Sequence, residues 1–293
     1  VPLRWQCAAD QEATIVLSYR HSFHAGNFAD VLKHIVLVEI LHYLKRKDTP
    51  FDYIDTHAGA GLYDLQSAEA SRLGEYRGGV GRLNPDDWPE LRDYLQLLAL
   101  FNPAGRLVAY PGSPVIARQL MRQQDRASLF ELHPADLEAL QRNIGRDRRI
   151  HVYHENGHTG LLRLLPPPSR RALVLLDPSY EVKTEYSQLQ RTLEKAWRKF
   201  PGGVYAVWYP VIERQRTEDF VEAIAGSGIR DIQRLELGVS ADTPGRGMTA
   251  CGMLVVNPPW TLQQTMAKLL PRLAQTLAQG PGAFSRVEML VPE

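Results

Sequence analysis

The run Ala172-Leu173-Val174-Leu175-Leu176 passes directly into Asp177-Pro178-Ser179-Tyr180, and this junction constrains the fold more than any other stretch. Consecutive apolar residues without polar alternation read as a strand buried on both faces, the kind found in parallel sheets covered by helices. Pro178 has no N–H to extend a ladder, so the strand stops there and the chain turns outward. An acid, a bend and an aromatic are thereby presented together at the carboxyl end of a central strand. In open α/β sheets that end is where ligands bind.

The rest of the chain supplies partners for such a strand. Asn27 is placed to cap a helix running to about Lys47, with Val31, Leu32, Ile35, Val38, Leu41 and Leu44 at roughly helical spacing. Phe51 to Asp55 reads as a strand that enters the small-residue turn Thr56-His57-Ala58-Gly59-Ala60-Gly61. Glycines immediately after a strand let backbone approach a bound ligand closely. In a doubly wound fold the next strand ends in an acid that holds ribose hydroxyls. The first candidate, Ser128 to Leu132 with Glu131, comes only after Pro111-Gly112-Ser113-Pro114 has opened a helix through Arg122. Residues 62–109, including a helix from Trp88 to Leu100, are therefore expected to be a mostly helical insertion. Further strands are expected at Arg149–Tyr153, ending at Glu155-Asn156-Gly157, and at Gly203–Tyr209, stopped by Pro210. Ile232–Val239 and Cys251–Val256 follow as a late pair. This alternation of strands and helices predicts an α/β fold with a parallel sheet covered on both faces.

Bulk properties exclude little. The 293 residues suit one large or two small domains, and 44% hydrophobic with 23% charged residues is ordinary for a globular protein. No run approaches the roughly 18–20 apolar residues of a membrane span. Val1 to Ser18 lack the basic start and apolar centre of a signal peptide. The only cysteines, Cys7 and Cys251, are far apart, and a reduced, cytoplasmic setting is expected with no membrane and no obligate protein partner. His151, His154 and His158 have no carboxylate or cysteine cluster at helical spacing to complete a metal set, so no metal site is expected. A net charge of +1 leaves any nucleic-acid contact to local patches, such as Arg142, Arg146, Arg148 and Arg149 or Arg170 and Arg171. A solvated surface accounts for those clusters equally well.

Asp177-Pro178-Ser179-Tyr180 resembles the acid/amide-Pro-Pro-aromatic motif of enzymes that methylate exocyclic amino groups of nucleobases, with Ser179 in place of the second proline. The chemistry fits. An adenine amino group is a poor nucleophile because its lone pair is delocalised into the ring. Asp177 and the Pro178 carbonyl can accept its two protons and localise that lone pair, and Tyr180 can stack on the base, a contact worth about 1–3 kcal/mol. Asn257-Pro258-Pro259-Trp260 matches the motif letters more closely, but it follows a late strand and is expected to be a strand-to-helix connection.

Several strings occur in order: Tyr19-Arg20-His21-Ser22-Phe23-His24-Ala25-Gly26-Asn27, Asp30-Val31-Leu32-Lys33-His34, Asp55 to Gly61, Tyr110 to Pro114 and Glu131-Leu132-His133-Pro134. Together they resemble the ribosomal RNA large-subunit methyltransferase J family, adenine-N6 methyltransferases acting on 23S rRNA, from about Leu17 to Glu293. The resemblance implies a class I (Rossmann-like) S-adenosylmethionine-dependent methyltransferase domain, residues 17–61 and 110–293, carrying an inserted helical subdomain at 62–109 behind an extension at 1–16. It implies that His34, His57, Ser113 and Glu131 contact the cofactor S-adenosylmethionine and that Asn156 and Gly157 flank its adenine. By the same carry-over Asp177 is the catalytic acid, itself beside the cofactor, and Tyr19 touches the RNA. Asn156 stands where the family usually has aspartate. The expected partner is 23S rRNA, protein-free or in an early assembly intermediate, with the target base unpaired or flipped out. Two other readings remain open on the residues alone: methylation of DNA adenine, and a non-enzymatic nucleic-acid-binding protein concerned with use of external DNA.

Overall fold

A computed structural model describes residues 20–182, 184–243 and 247–293. Tyr19, Cys7 and the 1–16 extension lie outside the described residues. The chain opens with helix α1 (Phe28–Lys45), capped as expected by Asn27, whose side chain accepts from the backbone N–H of Ala29 and Asp30. Strand β1 (Asp52–Asp55) follows, and then β2 (Leu62–Asp64), α2 (Ala68–Leu73), α3 (Arg92–Leu100) and β3 (Ala109–Pro111). The alternating part comprises α4 (Ser113–Leu120), β4 (Arg126–Phe130), α5 (Pro134–Ile144), β5 (Ile150–Tyr153), α6 (Gly157–Leu164), β6 (Ala172–Leu176), α7 (Glu185–Lys199), β7 (Val204–Val211) and α8 (Arg214–Ala225). The chain closes with β8 (Ile232–Gly238), β9 (Ala250–Val256), α9 (Leu262–Thr276) and β10 (Phe284–Val291).

The main sheet has the order β10-β8-β9-β7-β6-β1-β4-β5. Strands β5, β4, β1, β6 and β7 are parallel neighbours. β9 runs antiparallel between β7 and β8, and β10 pairs antiparallel with β8. The alternation predicted the parallel half; the reversed edge and strand β10 were not foreseen. Along β6 the residues divide strictly by parity. Leu173 and Leu175 pack with residues of α1, α4 and α9 on one face, while Ala172, Val174 and Leu176 pack with α6, α7 and α8 on the other. A strand buried on both faces has this composition because period-two side chains must all be apolar.

One expectation needs correction and a second gains detail. Pro210 does not stop β7, which runs on to Val211 with Pro210 opposite Cys251. β6 pairs with β7 only as far as Val207, so Pro210 sits where one edge of the strand is free and a missing N–H costs no ladder bond. The stretch 62–109 is not only helical: β2 pairs antiparallel with β3, so this ribbon brings the chain back to α4, with α2, α3 and short 3₁₀ turns between.

Asn257 follows β9, which points toward the amino-terminal edge of the parallel strands; Val256 lies opposite Tyr205, near the start of β7. Asn257-Pro258-Pro259-Trp260 is thus a strand-to-helix connection at the edge opposite Asp177.

Candidate active site

A cavity of about 410 Å³ opens at the carboxyl ends of β1, β4 and β6. It is lined by His34, His57, Ser113, Glu131, Asn156, Gly157 and Asp177 among others, so the structure brings together every cofactor or catalytic residue inferred from sequence.

The glycine turn after β1 and the acid after β4 are tied to each other. Glu131 accepts from Gly59 N at 2.8 Å through Oε2 and from His133 N at 2.7 Å through Oε1. Gly59 and Gly61 have φ of 61° and 78°, a left-handed backbone that glycine adopts without strain. Burial raises the Glu131 carboxyl above its ordinary value, against the lowering effect of the His133 and Gly59 amides. Gly157 begins α6 hard against the loop after β1, where a Cβ would come within 1.9 Å of the Thr56 carbonyl. Asn156 caps that helix through Oδ1, accepting from His158 N and Thr159 N. Only its Nδ2 donors are left for a base edge.

Two histidines of the wall, His57 and His34, are held well below the ordinary imidazole range. His57 is pushed down to about 3 by burial and by the neighbouring His158, on which its ring packs edge-on at 5.2 Å. Burial likewise pushes His34 down to about 3. His34 Nδ1 lies 2.7 Å from the Tyr110 hydroxyl, and its Nε2 is buried without a partner among the described residues. Such an orphaned atom in a cavity wall is satisfied when a polar ligand arrives. Ser113 Oγ donates to Asp55 Oδ2 at 2.7 Å, as does the Tyr53 hydroxyl. Asp55, fully buried at the end of β1, is the anchor of that wall.

Two charged residues in α1 were missed. Lys33 Nζ reaches Asp177 Oδ2 at 2.6 Å and Asp30 Oδ1 at 2.9 Å. Asp30 in turn accepts from His21 Nε2 and Gly26 N, both at 2.8 Å. Burial opposes the charge on Lys33, but Asp177 and Asp30 outweigh it and hold the ammonium well above the ordinary lysine range. Burial opposes ionisation of Asp30 too, and His21 and Lys33 bring its carboxyl well below the usual range. A signal existed in the sequence: Asp30 and Lys33 are opposite charges at i,i+3 among the apolar residues of the first half of α1.

Tyr180 is placed differently from the expectation. Its φ is 56°, its ring packs 4.5 Å from Tyr186 and 5.8 Å from Trp208, and its hydroxyl donates to the Trp208 carbonyl. It fixes the loop after β6 from behind, and Ser179, Glu181, Val182 and Trp208 face the cavity instead. The three histidines weighed as metal ligands are dispersed: His158 packs on His57, His154 donates to the Leu132 carbonyl, and His151 lies beside Tyr153. No cluster of three or more possible metal ligands occurs among the described residues, nor is any described helix long and apolar enough to cross a membrane.

A doubly wound sheet with two reversed strands, β9 and β10, toward one edge, a glycine turn after β1, an acid after β4 and Asp-Pro after β6 defines a class I methyltransferase. The family described as "Ribosomal RNA large subunit methyltransferase D, RlmJ" matches residues 48–290, and the chain belongs to it. It is 48% identical over 280 residues to Ribosomal RNA large subunit methyltransferase J of Escherichia coli (strain K12), covering 95% of this chain and 100% of that one. The protein of the same name from Haemophilus influenzae is 47% identical over 282 residues, with the same coverage. A crystal structure of a Legionella pneumophila protein superposes with a TM-score of 0.82 at 35% identity, covering 91% of this chain and 98% of the other.

Proposed function

We propose that this chain methylates the exocyclic amino group (N6) of an adenine in 23S rRNA, with S-adenosylmethionine as donor. The observation that carries this reading is the position of Asp177 and the Pro178 carbonyl on the wall of the same cavity that holds Glu131 and the glycine turn. The residues suit the cofactor. Glu131 offers a carboxylate to ribose hydroxyls, Asn156 offers Nδ2 to the adenine ring, and the orphaned His34 Nε2 awaits a polar group. Ser113, His57 and Gly157 complete the wall around these positions. When bound, S-adenosylmethionine supplies an electrophilic methyl group.

The protein's part is positioning and hydrogen bonding. Lys33 occupies Asp177 Oδ2, which leaves Oδ1 to accept from the adenine amino group. The Pro178 carbonyl accepts the second proton, and the nitrogen lone pair is turned out of the ring. Once the nitrogen carries the methyl group it is cationic, and it loses one proton along the hydrogen bond to Asp177. Neither Cys251, buried in β9, nor any other nucleophile is needed. Tyr19 is proposed to touch the RNA, and 62–109 to act as an inserted subdomain beside the site.

The test is methyl transfer from labelled S-adenosylmethionine to protein-free 23S rRNA lacking its modifications, with duplex DNA and Asp177→Ala in parallel. Label on RNA adenine that vanishes in the variant is expected. Label on DNA alone, or turnover retained by the variant, overturns the reading.

A further inference from the structure

A second cleft, of about 350 Å³, lies at the amino-terminal edge of the parallel strands, opposite the active-site mouth. Tyr43, Leu44, Arg46 and Lys47 at the end of α1 form one side, Ala172 and Val204 at the starts of β6 and β7 form its floor, and Arg171, Asn257 and Trp260 complete it. No carboxylate is among the lining residues. None of Arg46, Lys47 and Arg171 makes a salt bridge among the described residues. Arg171 donates instead to the carbonyls of Thr49 and Leu44, which orients its charge without neutralising it. Arg46 lies over the Tyr43 ring at 5.5 Å.

Trp260 is 74% exposed, more than any other large apolar side chain described. It is not on a loose loop. Asn257, at φ 50°, donates from Nδ2 to the carbonyls of Pro201 and Gly203 at 2.7 and 2.6 Å. Its backbone N–H donates to the Asp231 carbonyl, and Leu262 N donates to the Pro259 carbonyl. Two prolines and four hydrogen bonds thus hold an indole face in water beside three cations that make no salt bridge among the described residues. Aromatic platforms next to cationic tracks bind single-stranded nucleic acid, the ring stacking on a base and the cations meeting phosphates.

We propose that this cleft is a second nucleic-acid site, taking an unpaired nucleotide of single-stranded RNA with its base on Trp260 and its phosphates against Arg46, Lys47 and Arg171. The choice of RNA rests on the rRNA methyltransferase reading; the capture of a nucleotide phosphate does not. β6 separates Asp177 from the cleft by about 15 Å at roughly 3.3 Å per residue, so one nucleotide cannot fill both sites but a folded RNA can engage both.

The test is the anisotropy of a short labelled single-stranded RNA titrated with the full chain, across salt concentrations and with adenosine monophosphate as competitor. Trp260→Ala is expected to weaken binding about tenfold or more, Trp260→Phe to retain most of it, and Arg46→Gln with Lys47→Gln to reduce the salt slope by about one to two. Displacement by millimolar adenosine monophosphate assigns the site to free nucleotides, and resistance to it assigns it to the polymer; both keep the nucleotide chemistry. Unchanged affinity and salt slope in the alanine and glutamine variants overturn the proposal. Failure of the native chain to methylate rRNA would overturn the active-site reading while leaving the anisotropy result to judge the cleft.

Discussion

Lys33 Nζ sits 2.6 Å from Asp177 Oδ2, although the two residues are 144 positions apart. The pair joins α1 to the end of β6, and through Asp30 and His21 it extends to the segment that precedes α1. Both partners are largely buried, at 7% and 15% side-chain exposure, so neither is easily replaced by water. Lys33→Met strands two carboxylates. The expected result is a loss of turnover on the order of 10² or more, because a preorganised charge beside the reacting group is gone, with a stability loss of about 3–5 kcal/mol. Lys33→Arg should rescue folding better than turnover, since a planar fork cannot replace a point charge in the same space. Single-turnover methyl transfer and urea melts check both, and native turnover by Lys33→Met would show the pair to be structural only.

Glu131 holds the glycine turn and is proposed to hold the ribose. In Glu131→Gln one oxygen becomes an NH₂ group, which must face the N–H of either Gly59 or His133 and so opposes a donor with a donor. Cofactor affinity, measured by calorimetry, is expected to fall tenfold or more, while the fold is kept. Because burial raises this carboxyl, affinity in the native chain should also decline on acidification, at a higher pH than an exposed glutamate would give, as the carboxylate protonates. A Kd unaltered in the variant and insensitive to acidification would remove Glu131 from the cofactor site.

Much of this geometry was legible because the chemistry sits at strand ends. Asp177 follows an unbroken apolar run, and the glycine turn follows β1, so local patterning located both. Glu131 was found by asking where the missing acid had gone. Lys33 and Asp30 escaped because a helix hides its long-range partners: the i,i+3 charge pair marks the position, but nothing in residues 28–45 names Asp177, 144 positions on, as the third member. Pro210 misled for a related reason, since whether a proline breaks a strand depends on which neighbour lies alongside, and that is a property of the sheet. Tyr180 was given the role its motif suggests, but a left-handed backbone at that residue swings the ring to Tyr186 and Trp208. The antiparallel edge β8–β9–β10 carries no motif at all.

The neutral histidines predict the acid limb of stability. His34 and His57 titrate near 3 in the folded chain and near 6.5 when unfolded, so between these values the unfolded state binds more protons. Their contribution is complete above pH 6.5 and is lost as pH falls toward 3, with a combined slope of up to about 2.7 kcal/mol per pH unit. His24 has the opposite sign: its hydrogen bond to Glu75 raises it, and that contribution is lost as pH rises past its folded value. Urea midpoints should therefore drop clearly from pH 7 to 5, and His57→Gln should flatten the drop. Equal midpoints at both values would contradict the buried neutral state.

Gly157→Ala tests whether the cofactor wall depends on backbone contact. The added Cβ would lie 1.9 Å from the Thr56 carbonyl oxygen and 2.7 and 2.8 Å from the Thr56 carbonyl carbon and Cα, all backbone atoms that cannot yield as a flexible side chain would. α6 must then move away from the loop after β1, separating Asn156 and His158 from His57. Overpacking of this kind costs about 1–3 kcal/mol, and the displaced wall should weaken cofactor binding by about tenfold even where the protein still folds. Paired thermal melts with and without S-adenosylmethionine distinguish the two effects: the melting temperature should fall, and the ligand-induced rise should shrink. A variant with a lower melting temperature but an undiminished ligand-induced rise would mean that Gly157 packs the fold without shaping the site.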